Sequence, residues 1–258
     1  MSEAPANQSG PAATPPPAKP PAPPPAGKRF SQWAWEWIKS IVVALAIWFV
    51  IRALLIEAFR IPSSSMERTL LVGDFLFVNK ALYGAEVPLV GTRLPAVREP
   101  VLGDIVVFDS KMQEGVKVVK RVVGMPGDTL EMRDTQLFRN GGRAAEPFAV
   151  WTTAGSDPLD QLALMKSWQV DYLLPSMDRT VYRPDRRSWG PVVVPEGQYF
   201  VMGDNRDNSW DSRYWGFVDR RMIRGRPLFI YYSFDHDSWR ALPFVTAIRW
   251  GRLFSQPN

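Results

Sequence analysis

Apolar residues crowd one stretch near the start of the chain and afterwards alternate with polar ones in short runs. In "FSQWAWEWIKSIVVALAIWFVIRALLIEAF", Phe30 to Phe59, the 17 residues from Ser40 to Ile56 contain a single charge, Arg52. At the α-helical rise that run is about 25 Å long, close to a hydrocarbon core of roughly 30 Å, so it predicts one membrane span. A buried core helix is the other reading of such a run. Trp33, Trp35 and Trp37 precede it and Trp48 lies inside it, which supplies interfacial aromatic residues, and Lys39 and Arg52 can reach the two interfaces. No small-x-small site follows, so the run does not read as a cleaved leader. Lys19, Lys28, Arg29 and Lys39 lie before the span against Arg52 and Arg60 at its far end. The positive-inside rule then favours a cytoplasmic N-terminus and an extracytoplasmic remainder.

Beyond the span the period changes to two. "DFLFVNK" (Asp74 to Lys80), "DIVVFDS" (Asp104 to Ser110), "VKVVKRVVG" (Val116 to Gly124), "DTLEMR" (Asp128 to Arg133), "QYFVMGD" (Gln198 to Asp204) and "PLFIYYSF" (Pro227 to Phe234) are rich in β-branched and aromatic residues. Gly, Pro, Asn or Asp lie near most of their ends, so each predicts a strand. Together they predict a mostly β fold, an antiparallel sheet core preceded by one transmembrane helix. From Leu137 to Pro195 the pattern weakens into mixed polar sequence with "NGG" and "RPDRRSWGP" turn signals, which reads as a cap inserted into the core. "WRALPFVTAIRWGRLF" (Trp239 to Phe254) is too broken to span and either lies at a membrane interface or packs on the core. The first 27 residues hold ten of the 24 prolines and no large apolar side chain after Met1. They predict a disordered, partly polyproline II tether, with a proline-rich ligand as the alternative. The expected organisation is a tail over 1–27, an anchor over 28–58 and an extracytoplasmic domain over 59–258 with a cap at about 137–195.

Composition narrows the chemistry. A hydrophobic content of 46% over 258 residues suffices for a core. With no cysteine and one histidine, His236, thiol nucleophiles and histidine-rich metal sites are excluded. The net charge of +5 and pI near 9.5 fit nucleic acid or anionic lipid, and the apolar run decides for lipid. A serine nucleophile would need a base other than His236, which sits among acids in "SFDHDSW" and reads as a surface or capping residue.

A lysine can supply that base. In "VKVVKRVVG" a period of two puts Val116, Val118, Lys120 and Val122 on one face, and Lys117, Val119, Arg121 and Val123 on the other. Lys120 is the one charge on a valine face, and burial would lower its pKa toward neutrality. An edge strand whose lysine reaches water fits the same pattern. "RIPSSSMERTLLVGDF" (Arg60 to Phe75) carries three serines directly after the span. Ser64 and Glu67 fit a capping box for a short helix, and the residues alone do not choose among the three hydroxyls. "GMPGD" (Gly124 to Asp128) and "GDNRDNSWDSRYWG" (Gly203 to Gly216) read as tight loops, solvated or supporting a site.

Taken together these segments resemble the type I signal peptidase family, membrane-bound Ser/Lys proteases that remove signal peptides from exported preproteins. "PSSSMERTL" is similar to the family's P-S-x-S-M-x-P-T-L box, which implies Ser65 as nucleophile and Ser63 as oxyanion-hole hydroxyl beside the Ser65 N–H. "KRVVGMPGD" resembles the box of the general base and gives that role to Lys120. "LGDIVVF" (Leu102 to Phe108) matches a structural strand box. "GDNRDNSWDSRYWGFV" resembles the last box, which implies that Ser209 orients the lysine while Asp211 and Arg213 support the site as an ion pair. Arg68 stands where the family has proline, which alters the turn after the nucleophile. Substrates of the family carry small residues at −3 and −1; Ile61, Pro62, Val118 and Val119 are the apolar residues placed to shape such pockets.

The resemblance implies an acyl-enzyme mechanism without metal or organic cofactor. It also implies a bacterial inner-membrane location with a periplasmic catalytic domain, and secreted preproteins, lipid and the secretion translocon as partners, with no nucleic acid. Two alternatives stand beside it. A self-cleaving Ser/Lys repressor would need a DNA-binding module in place of the span, and an anchored, non-catalytic binding protein would need to lack the serine or the lysine.

Overall fold

A computed structural model of the protein describes residues 26–88, 90–152 and 157–257, with side chains from Gln32 onward. The expected tail lies outside the described residues up to residue 25. Helix α1 runs over Ala26–Val50 and continues into a π-helical turn, Ile51–Leu55. Of this, Gln32–Leu55 is 24 residues long and apolar enough to cross a membrane, eight residues more on the N-terminal side than the apolar pattern marks. Its apolar side chains are exposed on every face, as suits a helix whose solvent is lipid rather than a protein core.

From Trp48 onward the chain forms a second compact unit. Its main sheet has seven strands in the order β1-β2-β11-β3-β4-β9-β10, every recorded pairing antiparallel. They are β1 (Ile56–Arg60), β2 (Asp74–Asn79), β3 (Ile105–Asp109), β4 (Lys117–Gly124), β9 (Gln198–Met202), β10 (Val218–Asp219) and β11 (Ile223–Ser233). β1 takes up residues that the apolar run assigned to the end of the span. It is extended because Ile56 to Arg60 pair in register with Asn79 to Phe75. β11 begins four residues earlier than Pro227 suggested. The proline is tolerated there because the register shifts between Pro227 and Phe229, so the ladder needs no donor from it.

A second antiparallel sheet, ordered β7-β6-β5-β8, consists of β5 (Thr129–Arg133), β6 (Gln136–Arg139), β7 (Gly142–Arg143) and β8 (Trp189–Val193). Between β7 and β8 lies helix α2, Leu159–Tyr172, which the sequence pattern did not reveal. Its inward stripe is Leu162, Met165, Trp168 and Gln169, and the buried glutamine breaks the apolar signal. Gln169 is satisfied by donating to the Arg213 carbonyl at 3.0 Å and accepting from the Tyr182 hydroxyl.

Three apolar clusters hold the unit together. One lies on the face of the main sheet that carries Val122, with Val106, Phe108, Tyr199 and Val201; another gathers Ile61, Met66, Leu70, Leu76, Val107 and Val119 on the opposite face. The third joins Leu130, Met132, Met165 and Trp189 of the small sheet and α2 to Phe200 and Met202 of β9. Each such side chain contributes roughly 1.5–3 kcal/mol on burial. The C-terminal segment, with the short helix α4 (Pro243–Thr246), hydrogen-bonds along β11 through Phe254 and Ser255, while Trp239, Phe244 and Trp250 stay exposed.

Candidate active site

The loop from β1 to β2 is closed at its neck. Ile61 N–H donates to Asp74 O at 2.9 Å and Gly73 N–H to Ile61 O at 3.2 Å, while buried Asp74 takes Arg252 at 2.5 Å and Ser233 Oγ at 2.7 Å. Within it Ser64–Met66 form a single 3-10 turn, anchored by the buried side chains of Met66 and Leu70. The capping box is not formed. Ser64 Oγ instead accepts from Asn208 Nδ2 at 2.7 Å and Glu67 Oε2 from Asn205 Nδ2 at 3.1 Å, while Asn205 N–H donates to the Ser65 carbonyl at 3.1 Å. A cap would use these groups inside one short helix; here they tie the serine turn to the loop after β9.

The next residues, Met66 to Thr69, make a type II turn closed by Thr69 N–H to Met66 O at 3.1 Å. Glu67 has φ −53° and ψ 147°, and Arg68 sits at φ +83°. Proline, fixed near φ −65°, cannot occupy that third position, so the turn formed here is incompatible with the family's proline, while nothing in it calls for arginine in particular.

β4 places Lys120 opposite this turn. Its Nζ is hydrogen-bonded to Ser65 Oγ at 2.5 Å, and Ser63 Oγ lies 3.4 Å from Ser65 Oγ. Lys120 is 3% exposed and Ser65 9%. Burial, first of all, lowers the Lys120 pKa from 10.5 to about 8; Asp211 and Asp204 pull it up and Arg213 pushes it down. An amine in that state accepts the proton of a hydroxyl at hydrogen-bond distance. Serine, lysine and Val118 line a cavity of about 610 Å³ whose far walls include Met112, Trp210 and Trp215.

Asp211, Arg213 and Ser209 follow in the loop after β9 and in α3, Ser212–Trp215. Asp211 and Arg213 are fully buried and joined at 2.9 Å through both carboxylate oxygens, and Asp211 also accepts from Gly203 N–H at 3.0 Å. Burial by itself raises the Asp211 carboxyl, but the Arg213 charge and hydrogen bonds hold it below the ordinary carboxylate range. Ser209 Oγ is buried and, among the described residues, meets hydrogen-bond geometry with none, Lys120 included, although it contributes to holding the Asp211 carboxyl down. A Cβ on Gly203 would run into Ser209 Oγ and the Ser65 carbonyl, so only glycine lets the three approach.

The sequence profile described as "Signal peptidase, peptidase S26" matches residues 34–232. Signal peptidase I of Pseudomonas aeruginosa is 38% identical over 224 residues, covering 81% of this chain and 76% of that protein. That of Bacillus licheniformis is 35% identical over 201 residues, covering 78% of this chain and 89% of its own. The chain belongs to the signal peptidase family. A crystal structure of a signal peptidase I from Enterococcus faecalis V583 overlaps 51% of this chain at 32% identity, with a TM-score of 0.34.

The residues that the signal peptidase boxes single out converge from three separate segments on Ser65 and Lys120. Ile61 and Val119 lie in the apolar cluster with Met66 and Leu70, on the face of β4 opposite Lys120, whereas Val118 faces the cavity and Pro62 is exposed. His236 is exposed, beside Asp237 and the Phe234 ring.

Several supports went unnoticed in the sequence. Arg121 turns away from Lys120 and is bidentate on Asp204 at 2.8 and 2.7 Å, both side chains buried, with Thr69 Oγ1 donating to the same carboxylate at 2.5 Å. The alternation that isolates Lys120 on one face puts Arg121 between Val119 and Val123 on the other, and that was its signal. Asn205 and Asn208 gave none beyond the polarity of their loop.

Proposed function

We propose that this signal peptidase family member removes N-terminal signal peptides from exported preproteins after small-x-small sites, using Ser65 as nucleophile and Lys120 as general base. The observation that carries the reading is the 2.5 Å contact between Ser65 Oγ and a buried lysine lowered to about 8. At pH 7 roughly a tenth of such a lysine is neutral. Neutral Lys120 takes the Ser65 proton as Oγ attacks the scissile carbonyl, and the Ser65 N–H with the Ser63 hydroxyl faces the oxyanion. Lys120 then gives its proton to the leaving amine, and a water deprotonated by the same lysine hydrolyses the acyl-enzyme. Asp211 and Arg213 hold the loop behind the pair, and the Ser209 hydroxyl, not bonded to Lys120 at rest, turns to the lysine when it carries a proton. Of the four apolar residues expected to shape shallow pockets for the small side chains, Val118 lines the cavity and serves directly, Pro62 lies exposed beside the serines, and Ile61 and Val119 back the wall from the opposite face of β4.

In this reading α1 anchors the protein in a bacterial inner membrane with the N-terminus cytoplasmic. The domain over 59–258, with its cap at about 137–195, meets preproteins delivered by the translocon at the outer face of the lipid bilayer. The test is cleavage of a preprotein with an Ala-x-Ala site by the detergent-solubilised protein. Ser65→Ala and Lys120→Ala are each expected to lower kcat by at least about 10³-fold. Normal processing by either variant would overturn the mechanism, and an inert wild type beside a competent control enzyme would favour an anchored binding protein.

A further inference from the structure

The segment Glu146–Thr152 leaves the small sheet after β7 and crosses the loop that follows β9. Val150 N–H donates to the Asp204 carbonyl at 2.7 Å, and Arg206 N–H donates back to the Val150 carbonyl at 2.8 Å. Thr152 N–H reaches the Asp207 carboxylate at 2.6 Å. Glu146 grips Arg206 at 2.9 and 2.5 Å, with both side chains largely buried. Phe148 lies with its ring centre 4.0 Å from the Arg121 guanidinium, and the Trp151 ring is 5.9 Å from that of Arg213. One strap thus puts an aromatic face on a member of each buried ion pair behind the site.

We infer that Phe148 is a positioning residue for the Ser65–Lys120 pair, and that the strap carrying it clamps residues 203–207 and through them the Ser65 carbonyl. The inference rests on the mechanism proposed above. Phe148 touches neither reacting atom. Its ring covers Arg121, which holds Asp204; the next residue, Asn205, holds the Ser65 carbonyl at 3.1 Å, and the preceding one, Gly203, packs against the same oxygen. A ring face on a guanidinium is attractive and also excludes water, and a paired charge is held harder where water is excluded. Without the ring, water reaches the Arg121–Asp204 pair, the loop loosens, and Ser65 drifts from Lys120. Displacements of that kind near 1 Å suffice to slow a reaction by about two orders of magnitude.

The experiment uses the full-length protein in detergent and measures kcat, KM, the pH midpoint of kcat and the thermal midpoint. Phe148→Leu keeps an apolar side chain and loses the ring, whereas Phe148→Tyr keeps the ring. Met165→Ala, in the core of the cap, is the stability control. Phe148→Leu is expected to cut kcat about tenfold with KM within twofold, and to move the pH midpoint upward as Lys120 hydrates, with Phe148→Tyr restoring both. Met165→Ala is expected to lower the thermal midpoint and leave kcat and the pH midpoint in place. Should Phe148→Leu fail to fold, Glu146→Gln, which loosens the Arg206 end of the strap, is read by the same measures and the same thresholds. The inference is overturned if the strap variant keeps kcat within twofold at the wild-type pH midpoint, or if Met165→Ala shifts that midpoint equally. A Ser65→Ala protein that still cleaves would instead defeat the underlying mechanism, which separates the two failures.

Discussion

An ammonium group at Lys120 has little to replace the water it loses. Among the described residues its one hydrogen-bond partner is a neutral hydroxyl, and none of their carboxylates forms an ion pair with it. The lowered pKa is therefore also a statement about stability. The folded protein binds fewer protons at this lysine than the unfolded chain between about pH 8 and 10.5, so stability rises with pH across that window and the penalty is complete below it. Lys120→Met, which keeps the length and removes the charge, is expected to stabilise the fold at pH 7 by on the order of 3 kcal/mol. The advantage should fade by pH 10.5. Thermal midpoints of both proteins at the two pH values check it, and equal midpoints at pH 7 would contradict a desolvated lysine. This residue was legible beforehand because a lone charge on a valine face is conspicuous at a period of two. Its partner serine was legible only through the resemblance of its box, since from the residues alone Ser63, Ser64 and Ser65 are chemically equivalent until something tertiary distinguishes them. Here Asn208 takes the Ser64 hydroxyl and Lys120 takes that of Ser65.

At the scale of elements, strands were visible wherever one face is apolar, as in β3 and β4. Two elements escaped notice for separate local reasons. α2 buries Gln169, and β1 was absorbed into the apolar run because extended and helical residues look alike at the end of a hydrophobic stretch. Each is settled by a partner outside itself: the Arg213 carbonyl satisfies the glutamine that α2 buries, and β2 supplies the ladder that keeps β1 extended. The type II turn at 66–69 is a case in which backbone geometry overrides family habit. With Arg68 at φ +83°, Arg68→Gly is expected to stabilise the protein by about 1 kcal/mol. Arg68→Pro should destabilise it by a few kcal/mol and impair cleavage, because the serine turn must rearrange. Thermal melts and cleavage rates of the two variants decide this; a proline variant as stable and active as the parent would mean that the turn tolerates another conformation.

For the whole molecule, the distribution of buried charge sets the limits of the fold. Asp104 and Asp211 both have carboxyls lowered by arginine partners and N–H donors against the opposing effect of burial. Groups of this kind add stability that is present above pH 3.8 and is lost as pH falls through their lower folded values. Circular dichroism followed against pH should therefore show a folded domain from pH 5 to 8 and unfolding only below about 4. A transition near pH 6 would point to some other titrating group. Long-range pairing was the least legible level of all: strands 2 and 11 lie side by side across most of the domain's length, and nothing local announces such a neighbour.

That reach along the chain has a bearing on synthesis. Ser65, Lys120 and the Asp211–Arg213 pair come from segments that leave the ribosome far apart in time, and the strand that pairs with β2 and β3 is made after all of them. A nascent chain that has displayed its serine and its lysine still lacks the sheet partner and the buried pair that bring them together. On the dyad mechanism proposed above, the Ser65–Lys120 pair is therefore assembled only after residues 211–233 have been made.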